Sequence, residues 1–151
     1  MININNNKIV LDTNVSLDLF IFKNKKLFKI LDLLEKKIIT SITCDRCRSE
    51  FIYVLNYKKL NLNFNEKISA LNQFDKVNLI YKNHISKNNL CLPLCNDSDD
   101  QKFIELTYNS NSSFLISKDK AILKLAKKKN IKNFFKIMSP ESWLSEYELL
   151  N

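Results

Sequence analysis

The chain has 151 residues and a formal net charge of +8, with no glycine and only two prolines. This length suits one domain over residues 1–151, and the excess of positive charge favours a polyanionic partner. The longest apolar stretch, residues 17–22, is interrupted by Asp18 and is too short to cross a bilayer. Residues 1–7 are polar and lack the pattern of a signal peptide. We therefore expect a cytoplasmic protein with no membrane partner.

The first half of the chain alternates short apolar runs with helical patterns. Runs that predict buried strands cover residues 8–12 and 38–42. Apolar residues at helical spacing, several of them preceded by capping residues, predict helices over residues 13–22, 27–34, 45–55 and 65–80. The polar stretch 81–98 is irregular, and a short strand is expected at residues 90–94.

The second half of the chain repeats this alternation. A helix, a strand, a basic helix and a strand are expected in turn at residues 99–107, 113–117, 119–129 and 134–138. Ser139 and Pro140 open a last helix, because serine caps helices and proline suits the first helical position. Strands separated by helices indicate βαβ units. The sequence therefore predicts an α/β fold with a mostly parallel central sheet flanked by helices.

Acidic residues follow the expected ends of several strands. Six of them fall at the carboxyl edge of the predicted sheet: Asp12, Glu50, Asp97, Asp99, Asp100 and Asp119. Each acid alone is also explained as a helix cap, a first-turn acid or a solvated side chain. Ligand sites of open α/β sheets form beyond the carboxyl ends of the strands. Taken together, the positions therefore predict one acidic crevice.

Crowded carboxylates repel one another, and a hard divalent cation relieves that repulsion. Mg²⁺ and Mn²⁺ prefer carboxylate and water oxygens as ligands. A metal of this kind makes hydroxide available near neutral pH and stabilises charge that develops on a phosphodiester. The pattern therefore predicts metal-dependent hydrolysis of a phosphate ester.

Two stretches of the chain resemble a known family. Residues 8–15 (KIVLDTNV) resemble the opening of PIN domains, and residues 97–125 with 137–141 resemble the PIN subgroup of VapC-like toxins of toxin–antitoxin pairs. The resemblance implies a single PIN-like domain whose catalytic, metal-binding acids are Asp12, Glu50, Asp100 and Asp119. Asp97 and Asp99 match extra acids of the subgroup. Three neighbouring polar residues are implied to orient ligands or water: Thr13, Asn14 and Ser117.

The resemblance implies an endoribonuclease, a hydrolase that uses Mg²⁺ or Mn²⁺ and takes RNA as its substrate. It suggests an antitoxin protein as a partner, but a housekeeping RNA-processing nuclease fits the same residues. A non-catalytic RNA-binding PIN module is a further alternative, and the presence of all four acids argues against it. One departure from the family is the turn before the last catalytic strand, where residues 109–112 replace the usual glycine. Asparagine tolerates the left-handed backbone that such a turn needs.

Two unrelated α/β classes also place an aspartate after the first strand. A phosphatase of the haloacid-dehalogenase type needs a second aspartate two residues after Asp12, where this chain has Asn14. A phosphoacceptor receiver domain needs an acidic pair after the first strand, and no carboxylate flanks Asp12. The sequence therefore disfavours both classes.

Lysines near the acids are candidates for RNA contact. Lys102 and Lys118 flank the acidic positions, and Lys124 and Lys128 belong to a basic run that is equally explained as a solvated helix face. A homodimer is a further expectation. Its contact would come from late apolar residues: Trp143, Leu144, Tyr147, Leu149 and Leu150. Trp143 is also a candidate anchor for packing within the chain.

The cysteines fall into two close pairs, Cys44/Cys47 and Cys91/Cys95. Both pairs have spacings that zinc sites use, and both are expected near the carboxyl edge of the sheet. They lack the rest of a zinc-knuckle pattern, however. We therefore predict reduced, partly buried thiols, with a zinc site as the alternative.

Overall fold

The computed structural model describes residues 7–82 and 92–150. Its five strands are β1 Lys8–Leu11, β2 Thr40–Thr43, β3 Asn78–Ile80, β4 Phe114–Ile116 and β5 Lys136–Met138. Its α-helices in these ranges are α1 Thr13–Phe20, α2 Phe28–Glu35, α3 Asp45–Leu55, α4 Phe64–Val77, α5 Gln101–Asn109, α6 Lys120–Leu125, α7 Lys129–Lys132 and α8 Pro140–Leu150. Short 3₁₀ turns occupy Lys25–Leu27, Lys58–Leu60 and Ser98–Asp100.

The strands form one sheet in the order β3-β2-β1-β4-β5, and every pair of neighbours is parallel. The predicted α/β fold is therefore confirmed. β1 is central, with Ile9 opposite Ser41 of β2 and Phe114 of β4. The chain order reverses beside β1, and the carboxyl ends of β1 and β4 flank the point of reversal. In doubly wound sheets this point opens the crevice where ligands bind.

The strands are apolar on both faces because helices cover both sides of the sheet. Ile9 and Leu11 of β1 pack into a core that α1, α2, α3, α4 and α8 share. Val10, between them, points the other way into a second core formed with α5, α6 and α7. β4 divides its side chains in the same manner. Asp12 and Ser117 follow these strands directly, so the packed sheet fixes the backbone of both.

The structure corrects one helix prediction and one strand prediction on the β2–β3 side of the sheet. The helix predicted over residues 65–80 ends at Val77, and Asn78–Ile80 forms β3. The side chain of Asn78 ends the helix by donating to the Phe74 carbonyl (2.9 Å), and it accepts from Ser41 Oγ of β2 (2.6 Å). The strand predicted over residues 38–42 lies at Thr40–Thr43, because Ile38 and Ile39 still donate their amides to the end of α2.

The structure also corrects the basic helix predicted over residues 119–129. The helix breaks into α6 and α7, and Lys128 is extended between them as the N-cap of α7. Lys127 and Lys128 are exposed and offer no apolar side chain to bury, whereas the break lets Leu125 and Ile131 both enter the core. Of the strand expected at residues 90–94, residues 90 and 91 lie outside the described part, and residues 92–94 are not in a strand.

Several local predictions are confirmed. Ser139 Oγ accepts from the Ser142 amide (3.1 Å) at the start of α8. Asn111 has a left-handed backbone (φ 52°) in the turn where the family usually has glycine. Trp143 is buried against Phe114. Within residues 7–82 and 92–150, no helix has both the length and the apolar character needed to cross a membrane.

Candidate active site

Four of the six predicted acids line one cavity of about 380 Å³ at the carboxyl edge of the sheet. These four are the acids matched to the family motif: Asp12, Glu50, Asp100 and Asp119. Asp97 and Asp99 are exposed and do not line it. Asp97 instead accepts the Asp99 amide (2.9 Å) and shapes the turn before α5. Asn14 and Thr13 line the cavity beside Asp12.

Asp12 is fixed by the strand it follows. Its amide donates to the Ile116 carbonyl (3.0 Å), which extends the pairing of β1 with β4. Its carboxylate is buried and makes no capping hydrogen bond to α1, so the helix-cap explanation does not account for it. Ser117 Oγ donates to the Asp12 carboxylate (2.7 Å) and accepts from the Asp119 amide (3.0 Å). Ser117 thus links two of the acids.

Asp119 is both a helix cap and a wall of the cavity. Its Oδ1 accepts from the amides of Ala121 (2.7 Å) and Ile122 (3.1 Å) at the start of α6. Both bonds use the same oxygen. The cap therefore orients the carboxylate while engaging only one of its oxygens.

Glu50 is held by a hydroxyl and an ammonium. Thr13 Oγ1 donates to its Oε1 (2.6 Å), and the Lys102 ammonium forms an ion pair with its Oε2. The Lys102 ammonium also donates to the Asp99 carbonyl. The side chain of Lys102 is only 9% exposed. The structure thus places Lys102, which the sequence suggested for RNA contact, beside Glu50 as its counterion.

The other predicted RNA-contacting lysines lie at the surface. Lys118 is exposed, and its ammonium binds the buried carboxylate of Asp18 (2.6 Å). Lys124 and Lys128 are exposed in the broken basic segment. None of these three lines the acidic cavity.

The crowding of acids shows in their proton affinities. Burial raises the pKa of Asp100 to about 6, and the charges of Asp12, Asp119, Asp97 and Glu50 add to the rise. Burial also raises the pKa of Asp12, to which Glu50 and Asp119 contribute, although its hydrogen bond from Ser117 opposes the shift. The cavity therefore carries negative charge that the protein compensates only in part.

This donor set fits a hard divalent cation, because it offers carboxylate oxygens whose repulsion a cation would relieve. Among residues 7–82 and 92–150, however, no three carboxylate, thiol or imidazole groups stand close enough to hold one ion. Glu50 is turned toward Lys102, and Asp12 toward Ser117. Binding a cation would therefore require side-chain rotation, above all release of Glu50 from Lys102.

The cavity also has an apolar part of its lining, the apolar wall, which sequence reasoning did not predict. It is formed by Leu17, Phe22, Val54, Tyr57 and Leu60, with Lys59 beside them. The Lys59 ammonium lies 5.7 Å from the centre of the Tyr57 ring. The sequence signal for this wall is the spacing of Val54 and Tyr57, four and seven positions after Glu50, which is the spacing of residues on one face of a helix.

Most of the chain matches the sequence profile of a known family. The PIN-domain profile matches residues 8–121, a range that contains all four cavity carboxylates. The chain belongs to the PIN-domain family. PIN domains are generally nucleases, and they typically use divalent metals. An uncharacterized protein of Methanocaldococcus jannaschii is similar to this PIN domain, with 30% identity over 148 residues that cover 93% of this chain and 92% of the relative.

The raised pKa of Asp100 predicts a pH-dependent gain in stability on its removal. In the unfolded chain this carboxyl titrates near pH 3.9, so its folded-state pKa of about 6 lowers stability progressively as pH rises through this window. In chelator, Asp100→Asn should raise the free energy of unfolding by about 1 kcal/mol above pH 7 and by almost nothing near pH 4. The gain is smaller than the pKa shift alone would give, because solvent screens this half-exposed carboxylate. Urea unfolding across this pH range measures it.

Asp45→Asn is the matched control for this experiment, because it makes the same change of charge at an exposed residue outside the cavity. It should give no gain at either pH. An Asp100→Asn gain that is absent at neutral pH, or equally large near pH 4, would contradict the proposed crowding of charge.

Removing the Lys102 ammonium tests two of its expected effects, stabilisation of the apo protein and competition with a cation for Glu50. Lys102→Met keeps the apolar stem but leaves Glu50 with only the Thr13 hydroxyl. Because the Glu50 side chain is 26% exposed, the apo protein should lose about 1–3 kcal/mol of stability, less than for a fully buried ion pair. Because no ammonium then competes for Glu50, Mn²⁺ should raise the melting temperature of this variant by more than it raises that of the unmodified protein. Thermal unfolding with Mn²⁺ and with chelator measures both effects.

Lys124→Met, at an exposed lysine outside the cavity, is the control and should change neither quantity. If Lys102→Met behaves like this control, Lys102 is not the counterion of the site.

Proposed function

We propose that this PIN domain is a Mg²⁺- or Mn²⁺-dependent endoribonuclease that hydrolyses RNA phosphodiester bonds. The observation that carries the proposal is the convergence of Asp12, Glu50, Asp100 and Asp119 on one cavity. A binding module without catalysis does not explain four carboxylates in one cavity, two of which have a pKa raised by burial and further by neighbouring negative charge. The carboxylates also repel the phosphate of an RNA, so binding the substrate there needs a cation between them.

The four carboxylates are proposed to hold the metal, with Asp97 close enough to add to the local negative charge. When bound, a metal of this kind supplies a hydroxide nucleophile near neutral pH and stabilises charge on the phosphate. The remaining polar residues orient the acids. Ser117 sets the Asp12 carboxylate, and Thr13 sets Glu50. These two hydroxyls are positioning residues in the proposal.

Lys102 is proposed to hold Glu50 in place until a cation binds. Its ammonium supplies one positive charge at the acidic cavity, and the Asp99 carbonyl fixes its position. A buried ion pair of this kind preserves the arrangement of the acids in the absence of metal. Its ammonium then remains beside the acids as a donor for a substrate phosphate oxygen once Glu50 turns away.

The preference for RNA rests on the positive charge of the chain and on the apolar wall of the cavity. The chain carries +8 overall. Lys59 lines the cavity, and Lys118 and Lys124 are exposed close in sequence to Asp119. Positive residues outside a negative centre hold a polyanion by its flanking phosphates. Phe22 and Tyr57 line the same cavity as the acids and offer aromatic surface for a nucleobase.

Two biological settings suit this chemistry. One is the toxin of a toxin–antitoxin pair with an antitoxin protein as partner, and the other is housekeeping RNA processing. An adjacent small gene for a DNA-binding antitoxin would favour the first. A homodimer also stays a prediction. Of its five proposed contact residues, Trp143, Leu144 and Tyr147 pack against the core, whereas Leu149 and Leu150 are exposed.

Cleavage of a labelled, partly single-stranded RNA by the purified protein tests the proposal. Cutting should require Mn²⁺ or Mg²⁺ and stop with chelator. Asp12→Asn and Asp100→Asn should each reduce the rate by at least about 100-fold, because each removes a metal-binding carboxylate. Asp45→Asn, the same change outside the cavity, should cut normally.

Cutting that survives chelator, or that is equal in Asp12→Asn and Asp45→Asn, would contradict the proposal. Metal-independent RNA binding without cutting by any form would favour the binding-module alternative instead.

A further inference from the structure

Two thiols meet at the start of the helix that carries Glu50. Cys44 directly precedes α3, and Cys47 lies in its first turn. Their Sγ atoms are 3.5 Å apart. Cys44 is half-buried, whereas Cys47 is only 4% exposed. One thiol is therefore accessible from solvent, and the second lies behind it.

We propose that Cys44 and Cys47 form a reversible disulfide by exchange with small-molecule or protein disulfides, which makes the start of α3 a redox modification site. A disulfide has an S–S length of about 2.05 Å, so the two sulfurs need to approach by only about 1.5 Å. Cys44 has an extended backbone (φ −138°, ψ 170°) and lies outside the helix proper. Its side chain can therefore move toward Cys47 without unwinding α3.

The environment makes the two thiols unequal. Cys47 packs in the second core with Leu92 and Cys95, which shields it from reagents. The hydrogen bond shared with Cys47 lowers the pKa of Cys44 to about 6, and the backbone amides of the first turn add to this effect. The same pairing and burial raise the pKa of Cys47. Near neutral pH Cys44 is therefore the thiolate, which is the form that attacks disulfides.

The exchange proceeds in two steps. The Cys44 thiolate attacks one sulfur of the external disulfide, whose S–S bond breaks, and one thiolate leaves with the electron pair. Cys47 then loses its proton and attacks the Cys44 sulfur of the mixed disulfide, which expels the second external thiolate. The protein dithiol has lost two electrons and two protons, and the external disulfide has become two thiols. Excess thiol reverses both steps.

The cysteine spacing also allowed a zinc site, whose candidate ligands include Cys91, outside the described ranges. Zinc sites of proteins need three or four ligands, and no group of three ligating side chains occurs in the described ranges 7–82 and 92–150. The Cys91/Cys95 pair has one member outside those ranges. A pair of adjacent thiols, one accessible and one buried, matches what thiol–disulfide exchange requires.

The bond would form beside the acidic site. Cys47 and Glu50 are three residues apart on α3 and thus neighbours on the helix surface. The charges of both Glu50 and Lys102 influence the pKa of Cys47. The thiol pair therefore lies close to the Glu50–Lys102 ion pair. The inference itself concerns the thiols alone and does not depend on whether the chain cleaves RNA.

Mass spectrometry after treatment with oxidised glutathione tests the proposal. A Cys91→Ser background leaves Cys44, Cys47 and Cys95 as the thiols of the chain. This protein should lose two alkylatable thiols, lose the mass of two hydrogens and carry no glutathione, and dithiothreitol should reverse the change. In the same background, Cys47→Ser should trap one glutathione on Cys44, whereas Cys44→Ser should react with none.

Retention of all three thiols by the Cys91→Ser protein would overturn the proposal, and so would equal glutathione addition to Cys44→Ser and Cys47→Ser. A second measurement needs no further cysteine variant. Brief alkylation of the folded, reduced protein near neutral pH should label Cys44 at least about ten times faster than Cys47 or Cys95. Equal rates for Cys44 and Cys47 would also overturn it.

Discussion

Four carboxylates converge where β1 and β4 end, and their mutual repulsion must be balanced for the chain to fold. The balance comes from particular partners: Ser117 donates to Asp12, the first turn of α6 donates to Asp119, and Thr13 and Lys102 hold Glu50. Asp100 has the least compensation, and its pKa rises to about 6. The packed sheet holds the acids together despite their repulsion, because both of its faces are buried in the core.

The incomplete balance connects fold and function. A site in which every carboxylate was fully paired would have no affinity left for a cation. Here an internal ammonium neutralises one acid, while burial and like charge leave others with raised proton affinity. The apolar wall lines the same cavity as the acidic centre. The acidic centre itself follows from where the parallel strands end, at the point where the chain order reverses.

The sequence was sufficient to predict the α/β fold and the gathering of the four acids, because alternating elements fix which residues reach the carboxyl edge. It was insufficient where a residue's role depends on a partner far along the chain. Asn78 looked like part of a helix, and only its buried bond with Ser41 explains why a strand begins there. Lys102 was predicted to contact RNA, and its sequence position did not reveal that α5 places it against Glu50, 52 positions earlier in the chain. Neither contact leaves a periodic signal.

Paramagnetic broadening by Mn²⁺ would test the central claim, that these carboxylates form one cation site, most directly. Substoichiometric Mn²⁺ added to the isotope-labelled protein should first broaden the backbone amide signals around Asp12, Asp100 and Asp119, and Asp12→Asn should weaken the effect about tenfold or more. That result would locate the cation in the cavity without reference to any substrate. Broadening centred elsewhere, or unchanged in Asp12→Asn, would contradict the account.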